Sequence, residues 1–238
     1  MYLKRRPTGL KFNNRIPELD AARGICILGM VIVHLIYDLT ELYPVLRWEY
    51  PPFFLILKGG GSIAFFLISG IAATLGRRHL RRGLLVLGCG LLVSAAMDFA
   101  GAMPIRFGVL HCLGSCMLLW EVFRKRSSRF LALVGMGLIL LGLLFGSVTV
   151  SARLLSPLGL TAPDFQSADY FPLFPYLGFF LLGACLGKWR YQDRHGFLPN
   201  ADFSTLVPRF FCLCGRHSLP IYLIHQPVLI LLIEAALA

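Results

Sequence analysis

Seven long apolar runs leave this chain few ways to fold. They lie at about 19–40, 53–75, 83–100, 106–123, 129–150, 170–187 and 216–237. At 1.5 Å of rise per residue, each is long enough as a helix to cross a hydrocarbon layer of roughly 30 Å. In lipid, a helix satisfies its own backbone hydrogen bonds. Composition agrees: 57% of the 238 residues are hydrophobic, 15% are charged, and the mean hydropathy is +0.71. The expected class is therefore all-α, a polytopic membrane protein of about seven transmembrane helices. The first run does not read as a cleaved signal, because it is long, contains charge and is followed by no small-residue cleavage site. Residues 1–18 read as a basic cytosolic arm, and residues 19–238 as a single transmembrane domain.

Orientation follows from the basic residues. With the N-terminus inside, eighteen of the 23 Lys and Arg fall in inner segments: positions 4, 5, 6, 11 and 15, then 77, 78, 81 and 82, then 124, 125, 126 and 129, then 188, 190, 194, 209 and 216. Arg47, Lys58, Arg106 and Arg153 fall outside, and Arg23 lies within the first run. The N-terminus is thus expected in the cytosol and the C-terminus outside, in a multi-pass protein of the cell (plasma) membrane. Topology also explains the net charge of +11, so nucleic acid is not an expected partner.

The first run, LDAARGICILGMVIVHLIYD, is apolar except for Asp20, Arg23, His34 and Asp38. Their spacings of 3, 11 and 4 place them on one helical stripe. Arg23 and His34 then stand about 16 Å apart on nearly one face. Ionisable residues are costly inside a membrane and mark a functional interior; the plainer reading is helix packing through hydrogen bonds. The expected topology also sorts residues by depth. His34, Asp38, Asp98, His111 and Asp169 share an outer stratum, with Tyr170 beside Asp169 and Arg106 at the edge of the fourth helix. Two imidazoles among carboxylates are what general acid–base chemistry needs. The last helix adds Ser218, Tyr222 and either His225 or Gln226 on one face. The basic turn at 77–82 reads first as a topology signal and second as a seat for an anion. Seven scattered cysteines without a CxxC pair read as small buried hydrophobes. Cys112 and Cys116 beside His111 lack the paired spacing of a zinc site, and no metal is expected. Gly142-x-x-x-Gly146 and Gly183-x-x-x-Gly187 read as close helix packing.

Several segments together resemble bacterial proteins related to heparan-alpha-glucosaminide N-acetyltransferase. They are RIPELDAARGICILGMVIVHLIYDL, GGGSIAFFLISGIA, RRGLLVLGCGLL, IRFGVLHCLG, DYFPLFPYLGFFLLGACLG and GRHSLPIYLIHQPVLI. The resemblance runs from residue 15 over nearly all the chain. Arg23 and His34 also match the Arg, ten residues, His pattern of the acyltransferase-3 proteins. The resemblance implies a membrane-bound O- or N-acyltransferase that moves an acetyl or other acyl group from cytosolic acetyl-CoA, or another acyl-CoA, to an extracytoplasmic sugar or similar acceptor. It implies His34 as the base and Arg23 on the acyl-donor path.

The combined expectation has three sets of residues. His34, Asp38 and His111 are catalytic. Arg23, Arg81 and Arg82 bind the acyl-CoA. Asp98, Asp169, Tyr170 and His225 bind the acceptor. Expected partners are membrane lipids and a small-molecule or glycan acceptor, with a homo-oligomer open. The main alternative is a proton-coupled transporter with an intramembrane His/Asp relay. A haem-binding redox protein using His34 and His111 as axial ligands is a further class.

Overall fold

The computed structural model describes residues 15–47, 49–193, 196–198 and 201–238, apart from the side chains of Leu57 and Arg153. Residues 1–14 of the basic arm, and Arg194, lie outside the described residues. Eight α-helices follow one another: α1 Pro17–Tyr37, α2 Pro52–Leu75, α3 His79–Phe99, α4 Val109–Phe123, α5 Ser128–Gly146, α6 Leu173–Arg190, α7 Leu206–Arg216 and α8 Ser218–Leu237. Among the described residues no strand forms; two isolated bridges, Phe107–Tyr170 and Thr149–Thr161, stitch the loops. Proline opens α1 and α2 where its missing N–H is harmless. Ser127 caps α5 by accepting the Phe130 N–H. Past the end of α3, Gly101 takes a φ of 65°, the left-handed conformation that commonly closes a helix.

The observed helices sit close to the expected runs, with two differences. α1 does not end at Tyr37 but continues through a π-helical turn, Asp38–Leu42. The segment between the sixth and seventh apolar runs contains α7. This helix is too short and too polar on one side to register as a membrane run. By length and composition, five helices can cross a membrane: Pro17–Leu42, α2, α3, α5 and α8. The expectation of seven was broader. α4 is an apolar helix of only 15 residues, and α6 ends in Lys188-Trp189-Arg190, which dilutes its apolar run.

α6 is the innermost helix, with Leu177, Phe180, Leu181 and Ala184 buried among Phe66, Leu113, Trp120 and Leu131. Glycines set the closest crossings. A Cβ on Gly183 would run into the backbone oxygen of Leu67, and one on Gly70 into that of Phe180, so α2 and α6 touch backbone to backbone. Gly142 and Gly187 likewise lie at crossings, while Gly146 faces open space. Contacts also give direction. Asp20 pairs with Arg216 and Asp38 with Gln226, so the chain into α8 runs alongside α1 in the same sense. Gly83 meets Leu118 and Gly90 meets His111, so α3 and α4 are antiparallel.

The outside of the bundle is apolar. Leu92, Leu133, Leu143 and Leu231 are each at least 65% exposed, whereas Asp20, Asp38, His79 and His111 are buried. Large exposed apolar faces around a polar interior belong in lipid. This is a membrane protein.

Candidate active site

Where α1 meets α8, four polar side chains converge. His34 shares a 2.9 Å hydrogen bond between Nδ1 and the Met30 carbonyl. A carbonyl only accepts, so Nδ1 carries the proton and Nε2 keeps its lone pair. One turn on, Asp38 begins the π turn and is fully buried, at 0% exposure. Both its carboxylate oxygens accept from Gln226 Nε2, at 2.8 and 2.9 Å. His225, the preceding residue, donates Nδ1–H to the Tyr222 carbonyl at 2.6 Å, which leaves its Nε2 basic. The His34 and His225 rings meet edge to face, with centroids 4.9 Å apart and planes at 75°. His225 Nε2 and Gln226 Oε1 are buried and have no hydrogen-bond partner among the described residues.

Tyr222 links this cluster to a second one. Its hydroxyl donates to Asp169 Oδ2 at 3.2 Å, and the same oxygen accepts the Val109 N–H at 2.9 Å. Asp169 thereby caps the first turn of α4, where the helix dipole favours an anion. Burial raises its carboxyl pKa, and the Val109 and Tyr222 donors, with His34 and His111 nearby, pull the other way. His111 Nδ1 accepts the Gly108 N–H at 3.3 Å. Its Nε2 faces Ser94 Oγ at 3.5 Å, and that hydroxyl donates onward to the Ile105 carbonyl. A small cavity is lined by Gly90, Ile105, Gly108, His111, Asp169 and Tyr222. Gly108 is required there, because a Cβ would collide with the Asp169 carboxylate.

The other end of α1 is cationic. Buried Asp20 is held by Arg216 at 3.0 Å and Arg15 at 3.9 Å. Arg23, half-buried, is near Asp20, Arg15 and Arg82, yet no hydrogen bond or ion pair is seen for its guanidinium among the described residues. Glu18 ties down the chain after α6 by accepting from the Tyr191 hydroxyl and from the Phe197 and Leu198 N–H groups, each at 2.7 Å.

Compared with protein-family models, residues 15–227 match heparan-alpha-glucosaminide N-acetyltransferase, catalytic. The chain belongs to this family. No curated protein and no solved structure matches. The heparan-alpha-glucosaminide N-acetyltransferase match runs from Arg15 to Pro227, so it takes in Arg23 and the whole α1–α8 cluster through Gln226.

Within this family member the fold gathers some of the expected site residues and separates others. His34, Asp38 and His225 come together, and Asp169 joins them through Tyr222. His111 lines the cavity beside Asp169, but its lone pair is taken by the Gly108 N–H. Asp98 stands exposed at the end of α3, away from the cavity lining. The Tyr170 side chain turns toward the 153–158 loop, where its hydroxyl donates to the Ser156 carbonyl at 2.7 Å; burial pushes that phenol up to about 12. Arg81 and Arg82 are exposed, and Arg82 is near Arg23. His34 and Asp38 share a face without a hydrogen bond between them: a backbone carbonyl orients the imidazole, and Gln226 holds the carboxylate. Either His225 or Gln226 was expected on the face of Ser218 and Tyr222; in the structure His225 meets His34 and Gln226 meets Asp38. Gln226 was the residue least visible as a site member, since its partner is 188 positions away. Among the described residues, no group of three or more His, Cys, Asp or Glu is placed to hold a metal ion.

Proposed function

We propose that this membrane acyltransferase moves an acetyl group from acetyl-CoA on the cytosolic side to an amine or hydroxyl acceptor on the outer side, with His34 as the general base. One observation carries the reading. The Met30 carbonyl holds the Nδ1 proton of His34, so Nε2 presents a lone pair inside a cluster that also contains His225 and the Asp38 carboxylate. His34 Nε2 takes the proton as the acceptor's oxygen or nitrogen attacks the thioester carbon. The C–S bond then breaks, and the imidazolium returns the proton to the leaving thiolate. The products are the acylated acceptor and CoA.

Arg23, with Arg15 and Arg82 near it and no hydrogen bond or ion pair among the described residues, suits the phosphates of the donor. The acyl arm would then reach along α1 for about 16 Å. The topology that fits takes α1 to α6 and α8 as seven crossings, N-terminus inside. Parallel α1 and α8, and antiparallel α3 and α4, support that alternation, and the Lys and Arg bias supports its sense. The cell membrane is the proposed location.

The test is acetyl transfer from labelled acetyl-CoA by purified protein, using a panel of amino sugars and alcohols. His34→Ala is expected to lower the rate by about 10²–10⁴-fold while its melting temperature in detergent stays close to that of the parent. A well-folded His34→Ala protein with full transfer would sink the assignment.

A further inference from the structure

α7 has three faces. One packs on α1: a Cβ on Gly24 would run into the Phe211 carbonyl, and Cys212 Sγ donates to the Pro17 carbonyl at 3.3 Å. Leu206, Phe210 and Leu213 recur at the helical period on another face, with Val207 at its flank. These four are each at least 51% exposed. Arg209 and Arg216 line the edge between the two faces and are exposed, and α7 itself contains no acidic residue. The apolar face is thus the outer one, the reverse of a surface helix in a water-soluble domain. α7 also sits where the bundle ends. Arg216 pairs with Asp20, and Glu18 holds the Phe197 and Leu198 N–H groups and the Tyr191 hydroxyl. At this level Trp189, Phe197 and Leu198 are likewise more than half exposed.

We propose that α7 lies in the cytosolic boundary of the membrane, its outer face on the acyl chains and Arg209 among the phosphates of anionic lipids. With 11 residues, α7 is about 16 Å long, too short to cross a core of roughly 30 Å. Water would leave its apolar face uncovered, and the hydrocarbon core would strand its guanidinium groups. The boundary suits both, because arginine can rest its stem on acyl chains and keep its charge among headgroups. A cationic edge with no carboxylate on the helix favours anionic headgroups over neutral ones. A single residue, His217, joins α7 to α8, whose Ile224 and Leu231 are exposed on the lipid-facing outside of the bundle. The α7 backbone touches Gly24, next to Arg23, so a helix held at this level also fixes the depth of α1. The side, cytosolic, rests on the topology proposed above; the docking itself does not.

The test uses the full chain in nanodiscs of phosphatidylcholine, with and without phosphatidylglycerol. Phe210→Trp adds a tryptophan to the outer face, and its emission is read as the difference from the parent. Lipids brominated close to the headgroup should quench it most, lipids brominated at the chain ends less, and iodide in the water least. Quenching by iodide alone would put the face in water. Stronger quenching from the chain ends would put it in the core, and quenching by none would mean that protein, such as a second copy, covers it. Each of these results overturns the proposal. Phosphatidylglycerol should raise the melting temperature of the parent. Arg209→Glu should lose more of that gain than Arg77→Glu, which makes the same charge change at an exposed position off the helix. No gain, or equal losses, would overturn the preference for anionic headgroups. Symmetric discs show the same lipids to both ends of the bundle, so an inverted topology would change only which leaflet is named. Neither readout involves acetyl transfer, so a protein that transfers nothing would discard the acyltransferase reading and leave this one standing.

Discussion

Three histidines lie within two turns of the site, and what separates them is the fate of one lone pair. His34 and His225 each donate Nδ1–H to a carbonyl of their own helix and keep Nε2 free. His111 spends its Nδ1 lone pair on the Gly108 N–H and is 5% exposed. It is therefore suited to hold the start of α4 rather than to take a proton from a substrate. His111→Phe should leave Gly108 and Ser94 short of a partner and lower stability by about 1–3 kcal/mol. Acetyl transfer per folded molecule should change little. Thermal unfolding in detergent beside single-turnover rates separates the two effects. A loss of rate as large as that of His34→Ala, with stability intact, would return His111 to the catalytic set.

At the scale of elements, glycine decides which helices share a site. α7 can lie on α1 only because Gly24 and Gly215 let the backbones touch; a Cβ on Gly215 would run into the Asp20 carbonyl. That crossing brings Arg216 to Asp20. It also sets the start of α8, eight residues before Gln226 meets Asp38. Gly215→Ala should destabilise the protein by about 1–3 kcal/mol, since backbone cannot move aside as a side chain can. Gly60→Ala is the control. Its Cβ meets nothing within 4 Å, and alanine in an exposed helix interior should gain roughly 0.5–1 kcal/mol. Melting temperatures of the two variants moving in opposite directions would bear this out; equal shifts would not.

For the whole molecule, the distribution of charge implies a sidedness. Arg23, Arg82 and Arg216 gather at one end of the bundle, and Asp38, Asp169 and the paired Tyr43 and Glu234 toward the other. If the first end is cytosolic, the turn at 77–82 is inside and the α5–α6 loop outside. Two exposed positions serve for labelling in a cysteine-free background, since all seven native cysteines are free thiols. In intact cells, a thiol probe that cannot cross the membrane should modify Gln166→Cys and spare Arg78→Cys. The reverse pattern would invert the topology, and with it the side from which acetyl-CoA enters.

The sequence alone determined the class, most of the helices and the polar stripe of α1. Hydropathy and 3.6-residue periodicity are local properties: a run of apolar residues must be a helix in lipid wherever the rest of the chain lies. The same logic placed Ser218, Tyr222 and either His225 or Gln226 on one face of α8. Tertiary structure decided which of these groups meet. That Asp38 is held by Gln226, that Asp169 caps α4 while bonding Tyr222, and that Asp98 and the Tyr170 hydroxyl turn elsewhere all depend on helix crossings. Those crossings are set by where glycine allows two backbones to approach. Hydrogen-bond partners separated by 53 or 188 residues leave no local period to read, because the energy that selects them exists only once the helices have packed.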